Sequence, residues 1–168
     1  FEGQREKVTY QGSYNFSQRH SLTFGAEAMT EKYFSTDNST PISKDYDTNS
    51  IFGEWLAEPL QNLNISVSTR YTDNSAFGDK STGRIAAAWQ MTAETTLRLS
   101  YSTGFRTPSL NELYGPFGSN PALRPETSQS AEVGIEHQYG RLTFQAGLFQ
   151  TRITDIIKYV SGSGYNQI

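Results

Sequence analysis

Apolar and polar residues take turns along most of this chain. Tyr10, Gly12, Tyr14 and Phe16 interleave with Thr9, Gln11, Ser13 and Asn15, and Leu63, Ile65, Val67, Thr69 and Tyr71 interleave with Asn64, Ser66, Ser68, Arg70 and Thr72. A period of two places one set on each face of a β-strand. The pattern predicts about eight strands. They run roughly Glu6 to Phe16, Ser21 to Phe34, Tyr46 to Glu58, Leu63 to Thr72, Gly83 to Gln90, Thr95 to Phe105, Ser128 to Tyr139, and Leu142 to about Tyr159. The phase of the last blurs after Phe149.

The connections predicted between these strands alternate in length. Ser17 to His20, Pro59 to Asn62, Met91 to Glu94 and Tyr139 to Arg141 read as tight turns, whereas Ser35 to Asp45, Asp73 to Thr82 and Arg106 to Thr127 read as long polar loops. Phe16, Trp55, Trp89 and Tyr139 sit on the apolar face just before a short turn, and Tyr71, Tyr101 and Phe105 sit on it at the opposite strand ends. Short turns at one rim, long loops at the other and an aromatic girdle at each describe an outer-membrane β-barrel, lipid outside and water inside. The fold class expected is therefore all-β, an antiparallel transmembrane β-barrel segment. A soluble β-sandwich also alternates, and eight strands can close into a small complete barrel. These two remain the alternatives, the first as a carbohydrate-binding module and the second as a structural barrel or adhesin.

Composition changes this picture little. Mean hydropathy is low and no long apolar run exists, which excludes a transmembrane helix but not a barrel, since half of each strand faces water. A net charge of −3 argues against nucleic acid as a partner. The chain has no cysteine, which fits an envelope protein and many others. It opens on Phe1-Glu2-Gly3, already near a strand, and closes on Gly164-Tyr165-Asn166-Gln167-Ile168, which reads as the start of another. The expectation is an internal piece of a longer protein, residues 1–168 being one partial barrel truncated at both ends.

One segment is more than a strand. Gly104-Phe105-Arg106-Thr107-Pro108-Ser109-Leu110-Asn111-Glu112-Leu113-Tyr114 leads through Gly118-Ser119-Asn120-Pro121-Ala122-Leu123-Arg124-Pro125-Glu126 into Thr127-Ser128. The prolines and glycines end the strand. Leu110, Leu113 and Tyr114 have helical spacing, with Ser109 or Asn111 as cap. Leu123 to Glu126 reads as an extended re-entry, because residues before proline avoid the helical region.

This stretch resembles the TonB-dependent outer-membrane receptors. Their barrels carry Gly-Phe-Lys/Arg-Ala-Pro-x-Leu-x-x-Leu-Tyr, then Asn-Pro-x-Leu-x-Pro-Glu, then Ser-x-x-x-Glu-x-Gly. Gly104, Phe105, Arg106, Pro108, Leu110, Leu113 and Tyr114 match the first, Asn120, Pro121, Leu123, Pro125 and Glu126 the second, and Ser128, Glu132 and Gly134 the third. Thr107 departs from the usual alanine. The run Leu113 to Pro121 is most similar to the cobalamin-type receptors, with siderophore and haem receptors close behind. The resemblance implies a barrel of about 22 strands around a plug. It also implies a bacterial outer-membrane location and uptake of a scarce large ligand, such as cobalamin or a siderophore. The implied partners are outer-membrane lipid, the plug of the same full-length protein, the small-molecule ligand, and a TonB complex reached through an N-terminal region that this sequence does not contain.

No enzyme chemistry is legible. His20 and His137 lie far apart, zinc spacing is absent, and there is no nucleophile elbow or Walker loop. No cofactor, catalytic residue or metal ligand is expected. Asp45 and Asp47 suggest calcium only weakly against an ordinary solvated loop. Asn15, Asn38 and Asn64 fit a glycosylation pattern that has no bearing on a bacterial envelope protein. Ligand contact is expected from Tyr114, Phe117 and Asn120, since loops on a rigid scaffold carry binding and aromatics supply contact area. Packing of Tyr114 against the wall is the competing role. Glu27, Glu31, Glu54, Arg70, Arg98, Glu132 and Glu136 fall on the inner face, to meet either a plug or each other.

Overall fold

The computed structural model describes residues 2–36 and 41–168, so Phe1 and Asn38 lie outside the described residues. Eight antiparallel strands form one sheet in simple sequence order: β1 (Glu2–Ser17), β2 (His20–Ser35), β3 (Ile42–Leu60), β4 (Leu63–Asn74), β5 (Gly78–Gln90), β6 (Thr95–Arg106), β7 (Glu126–Tyr139) and β8 (Leu142–Thr154). A short helix, α1 (Leu110–Tyr114), lies between β6 and β7, and a two-stranded hairpin of β9 (Ile157–Val160) and β10 (Gly164–Gln167) follows β8. Edges β1 and β8 do not pair with one another, so the sheet is a curved wall and not a closed small barrel.

Register keeps the two faces chemically distinct from β1 through β7. Tyr14, Leu22, Trp55, Val67, Ile85, Tyr101 and Ala131 are successive cross-strand partners through β7. That row begins beside the turn after β1 yet reaches the middle of β7, the stagger expected of tilted barrel strands. A slip of one residue anywhere would turn this row inward. Phe16 keeps its outward phase through a bulge: pairing shifts between Asn15 and Ser17, and the Phe16 ring meets Tyr14 edge-on at 4.9 Å.

Among the described residues, nothing covers the apolar face. Val8, Ile51 and Leu148 are 74%, 62% and 76% exposed, and among the described residues the buried aliphatic and aromatic side chains are Tyr33, Ala57, Leu113 and Leu123. A sandwich would bury this face against a second layer. A barrel wall offers it to lipid while the strand ladder satisfies the backbone.

Three expectations change. The strands run several residues past the apolar band at their outer ends, because the backbone ladder needs no apolar side chain to continue. The connection expected from Asp73 to Thr82 therefore shrinks to residues 75–77. Asn74 closes it by accepting hydrogen bonds from the Ala76 and Phe77 amides at 2.9 and 3.1 Å, so long and short connections do not alternate throughout. The last strand stops at Thr154 instead of Tyr159: Asp155 adopts a φ of 59° and turns the chain into the hairpin. Asp45 and Asp47 lie within β3 rather than in a loop, and Asp47 Oδ1 accepts from Thr30 Oγ1 at 2.7 Å.

Candidate functional site: the inner face and outer mouth

The inner face is polar but not uniformly paired. Glu27 sits between Lys7 and Arg70 at 2.6 and 2.5 Å, Arg5 meets Glu31, and Arg98 meets Glu136 at 3.1 Å. Glu54 accepts from Ser66 Oγ at 2.9 Å. The cross-strand role thus claims most of the expected inner charges. The side chains of Glu132 and, on β5, Arg84 make no hydrogen bond or ion pair among the described residues. Both line a groove of about 930 Å³ in the concave face, together with Arg19, Arg98, Leu56 and Ala86.

At the outer end, residues 107–125 fold across this face. Ser109 caps α1: its Oγ accepts from the Glu112 amide at 3.2 Å, while the Glu112 carboxylate accepts from the Ser109 amide at 2.7 Å. This reciprocal pair is a capping box, and it selects Ser109 over Asn111. Leu113 is 1% exposed and Leu123 3%. Opposite them, Tyr114 reaches β3, where its hydroxyl lies 2.9 Å from that of Tyr46 and the Lys44 ammonium stands 5.5 Å from its ring centroid. The segment that leaves β6 therefore rests on β2 and β3, four and three strands away, as a shelf over the inner face.

Arg106 anchors the near end of the shelf. Its guanidinium forks onto Glu126 at 2.9 and 3.1 Å and onto Glu112 at 3.0 to 3.2 Å. Burial alone would discourage ionisation of Glu112, but Arg106 and the Ser109 donors outweigh it and hold the carboxyl below its usual range.

The three candidate ligand residues end in different surroundings. Tyr114 is engaged by Tyr46 and Lys44. Asn120 is bonded on every side: its amide donates to Glu112 O at 2.8 Å, Nδ2 donates to Tyr165 O at 3.0 Å, and Oδ1 accepts from the Ala122 amide at 3.0 Å. Phe117 projects at the tip, 69% exposed. The sequence pattern did not single out Lys44, Tyr46, Tyr165 or Gln167, since these contacts join segments that carry no local signature. His20 stacks on Trp55 at the turn rim with 5.8 Å between ring centroids, and His137 Nδ1 lies 2.9 Å from Thr95 Oγ1.

A wall with an exposed apolar outer face, a polar inner face and an in-folded shelf defines an outer-membrane β-barrel protein. The family model described as "TonB dependent receptor-like, beta-barrel" matches residues 2–168, and the chain belongs to that family. This is a family of outer-membrane transporters and receptors, not of enzymes. The vitamin B12 transporter BtuB of Photobacterium profundum is 24% identical over 163 residues, covering 97% of this chain and 27% of that protein. The vitamin B12 transporter BtuB of Vibrio vulnificus is 27% identical over 153 residues, covering 90% of this chain and 23% of that protein. Among solved structures, the siderophore receptor PirA of Pseudomonas aeruginosa superposes with a TM-score of 0.84 at 18% identity, covering 98% of this chain and 34% of PirA. The chain thus spans about a quarter of the curated relatives it matches.

Proposed function

We propose that this chain forms part of the wall and mouth of an active transporter that captures a scarce, large ligand for TonB-energised uptake. The observation that carries the reading is the in-folded shelf with Phe117 at its tip, mounted on a wall whose outer face carries a broad apolar band. Cobalamin is the favoured cargo, because the vitamin B12 transporters match at 24–28% identity. Siderophores are the second reading, favoured by the likeness to PirA in fold. Among the expected ligand residues, Phe117 is assigned first contact, while Tyr114 and Asn120 hold the shelf that presents it. The plug and the TonB-contacting segment would belong to other parts of the longer protein, and the unpaired Arg84 and Glu132 offer such a plug complementary charges within the groove.

Uptake of labelled cyanocobalamin and of a ferric catecholate siderophore tests this in cells expressing the full-length receptor, with and without TonB. Accumulation of one of them that requires TonB is expected, with Phe117→Ala weakening binding about tenfold while leaving the barrel folded. Equal accumulation of every probe with and without TonB overturns the reading.

A further inference from the structure

The shelf and the β9–β10 hairpin are separate in sequence, divided by β7 and β8. They are nevertheless joined at two places. The first is Arg106. Its guanidinium has five N–H donors, and five hydrogen bonds are made: Nε and one from Nη2 to Glu126, both from Nη1 and one from Nη2 to Glu112. Each carboxylate then passes the connection on. Glu112 accepts from the Ser109 cap of α1, and Glu126 Oε1 accepts from the Ile157 amide, the first residue of β9, at 2.6 Å. One side chain thereby ties the end of β6, the start of α1, the start of β7 and the start of the hairpin.

The second junction lies further out. The Tyr165 amide donates to Gly118 O at 2.7 Å, and Asn120 Nδ2 donates to Tyr165 O at 3.0 Å. Gln167 and Arg124 exchange a pair of bonds at 2.6 and 3.1 Å, and Arg124 meets Asp155 at 3.2 Å. Two bodies fastened at two separated points do not swing independently.

We infer that Arg106 is a positioning residue that makes the shelf, residues 107–125, and the hairpin, residues 157–167, one rigid body at the outer mouth. A contact made at Phe117 is then felt by the hairpin, and the reverse. The role demands arginine: a lysine ammonium has three donors on one atom and cannot supply the five bonds, paired on each carboxylate, that Arg106 makes.

The test uses the full-length receptor in lipid vesicles, with any cysteines elsewhere replaced; this chain has none. Nitroxide labels are placed at Phe117→Cys on the shelf or Ser161→Cys on the hairpin, each paired with a label at Met91→Cys in the opposite turn. Pulsed electron resonance then reads the distance distributions. Both should be narrow with Arg106 present. Arg106→Ala should widen both about twofold, and Arg106→Lys should fail to restore them, while the barrel keeps its compact migration on unheated gels. If Arg106→Ala prevents assembly, Glu126→Gln gives the same reading, since it removes the charge shared by Arg106 and Ile157. Widening at one site alone, or at neither, overturns the inference, as does full rescue by lysine. No ligand enters the measurement, so its outcome is independent of the transport reading.

Discussion

Ile85 and Leu113 are both aliphatic, yet the first is 53% exposed and the second 1%. Ile85 belongs to the wall, where apolar side chains point away from the protein and hydrocarbon is their solvent. Leu113 belongs to the shelf, where an apolar side chain must find a partner within the chain as it would in a soluble domain. The wall is specified many times over: strand after strand repeats the same alternation, and the register rows carry the same two faces from β1 through β7. The shelf is specified once, by a capping box, one arginine, one asparagine and a tyrosine pair. Damage to the wall should therefore follow the chemistry of the face and depend little on which strand is chosen. Damage to the shelf should depend on the individual residue.

The largest expected effect breaks this contrast from the wall side. Ile85→Arg puts a charge midway between Trp89 and Ser81 on the lipid face, and should cost about 2–4 kcal/mol in a denaturant titration of the vesicle-inserted receptor. Ser100→Lys, on the inner face of β6 and opposite Glu132, should change stability by less than about 0.5 kcal/mol in the same titration. If the two variants were equally damaging, the assignment of faces would be wrong.

The shelf has its own sequence of smaller effects. Gly118→Ala should cost about 2 kcal/mol locally, because Gly118 has a φ of 67° and its α-carbon passes against Gly164. Faster hydrogen exchange at the Tyr165 amide, with strand amides unchanged, is the expected signature. Ser109→Ala removes the cap of α1 and should cost about 1 kcal/mol, read as faster exchange across residues 110–114. Acid should act more weakly still. The carboxyl of Glu112 lies below its ordinary value, so its contribution is complete above a pH of about 4.3 and fades as pH falls through the depressed value. Arg106 stays charged throughout, and Glu126 shares it. With the Arg106 side chain 46% exposed and screened by water, the loss should stay under about 1 kcal/mol. A nitroxide at position 117 should gain mobility between pH 6 and pH 3 while one at position 91 does not.

Much of the wall was legible because the signal for a strand is local and periodic. Leu97, Leu99 and Tyr101 declare their face without reference to any neighbour, and the tight turns follow from where the alternation breaks off. The expected loop from Asp73 to Thr82 failed for a related reason. Beyond the lipid boundary the ladder continues with polar residues on both faces, so alternation ends before the strand does. At the site, α1 and its cap were readable from helical spacing and a serine. The partnership of Tyr114 with Tyr46 and Lys44 was not, because it is made across two intervening strands by the curvature of the sheet. Asn120 shows the same limit. A polar residue in an outer loop reads as available to a ligand, and only the fold shows all its groups spent on Glu112, Ala122 and Tyr165.

Gly118 and Gly164 meet through main chain alone, with φ values of 67° and 77° and no side chain between them. Such a crossing is indifferent to whatever residues decorate the tips on either side. Phe117 and Ser161 can be exchanged for other chemistries while the two segments that cross stay in place. In the proposed transporter, cargo preference would thereby be separated from architecture: new specificities could be tried at the rim without rebuilding the crossing beneath it.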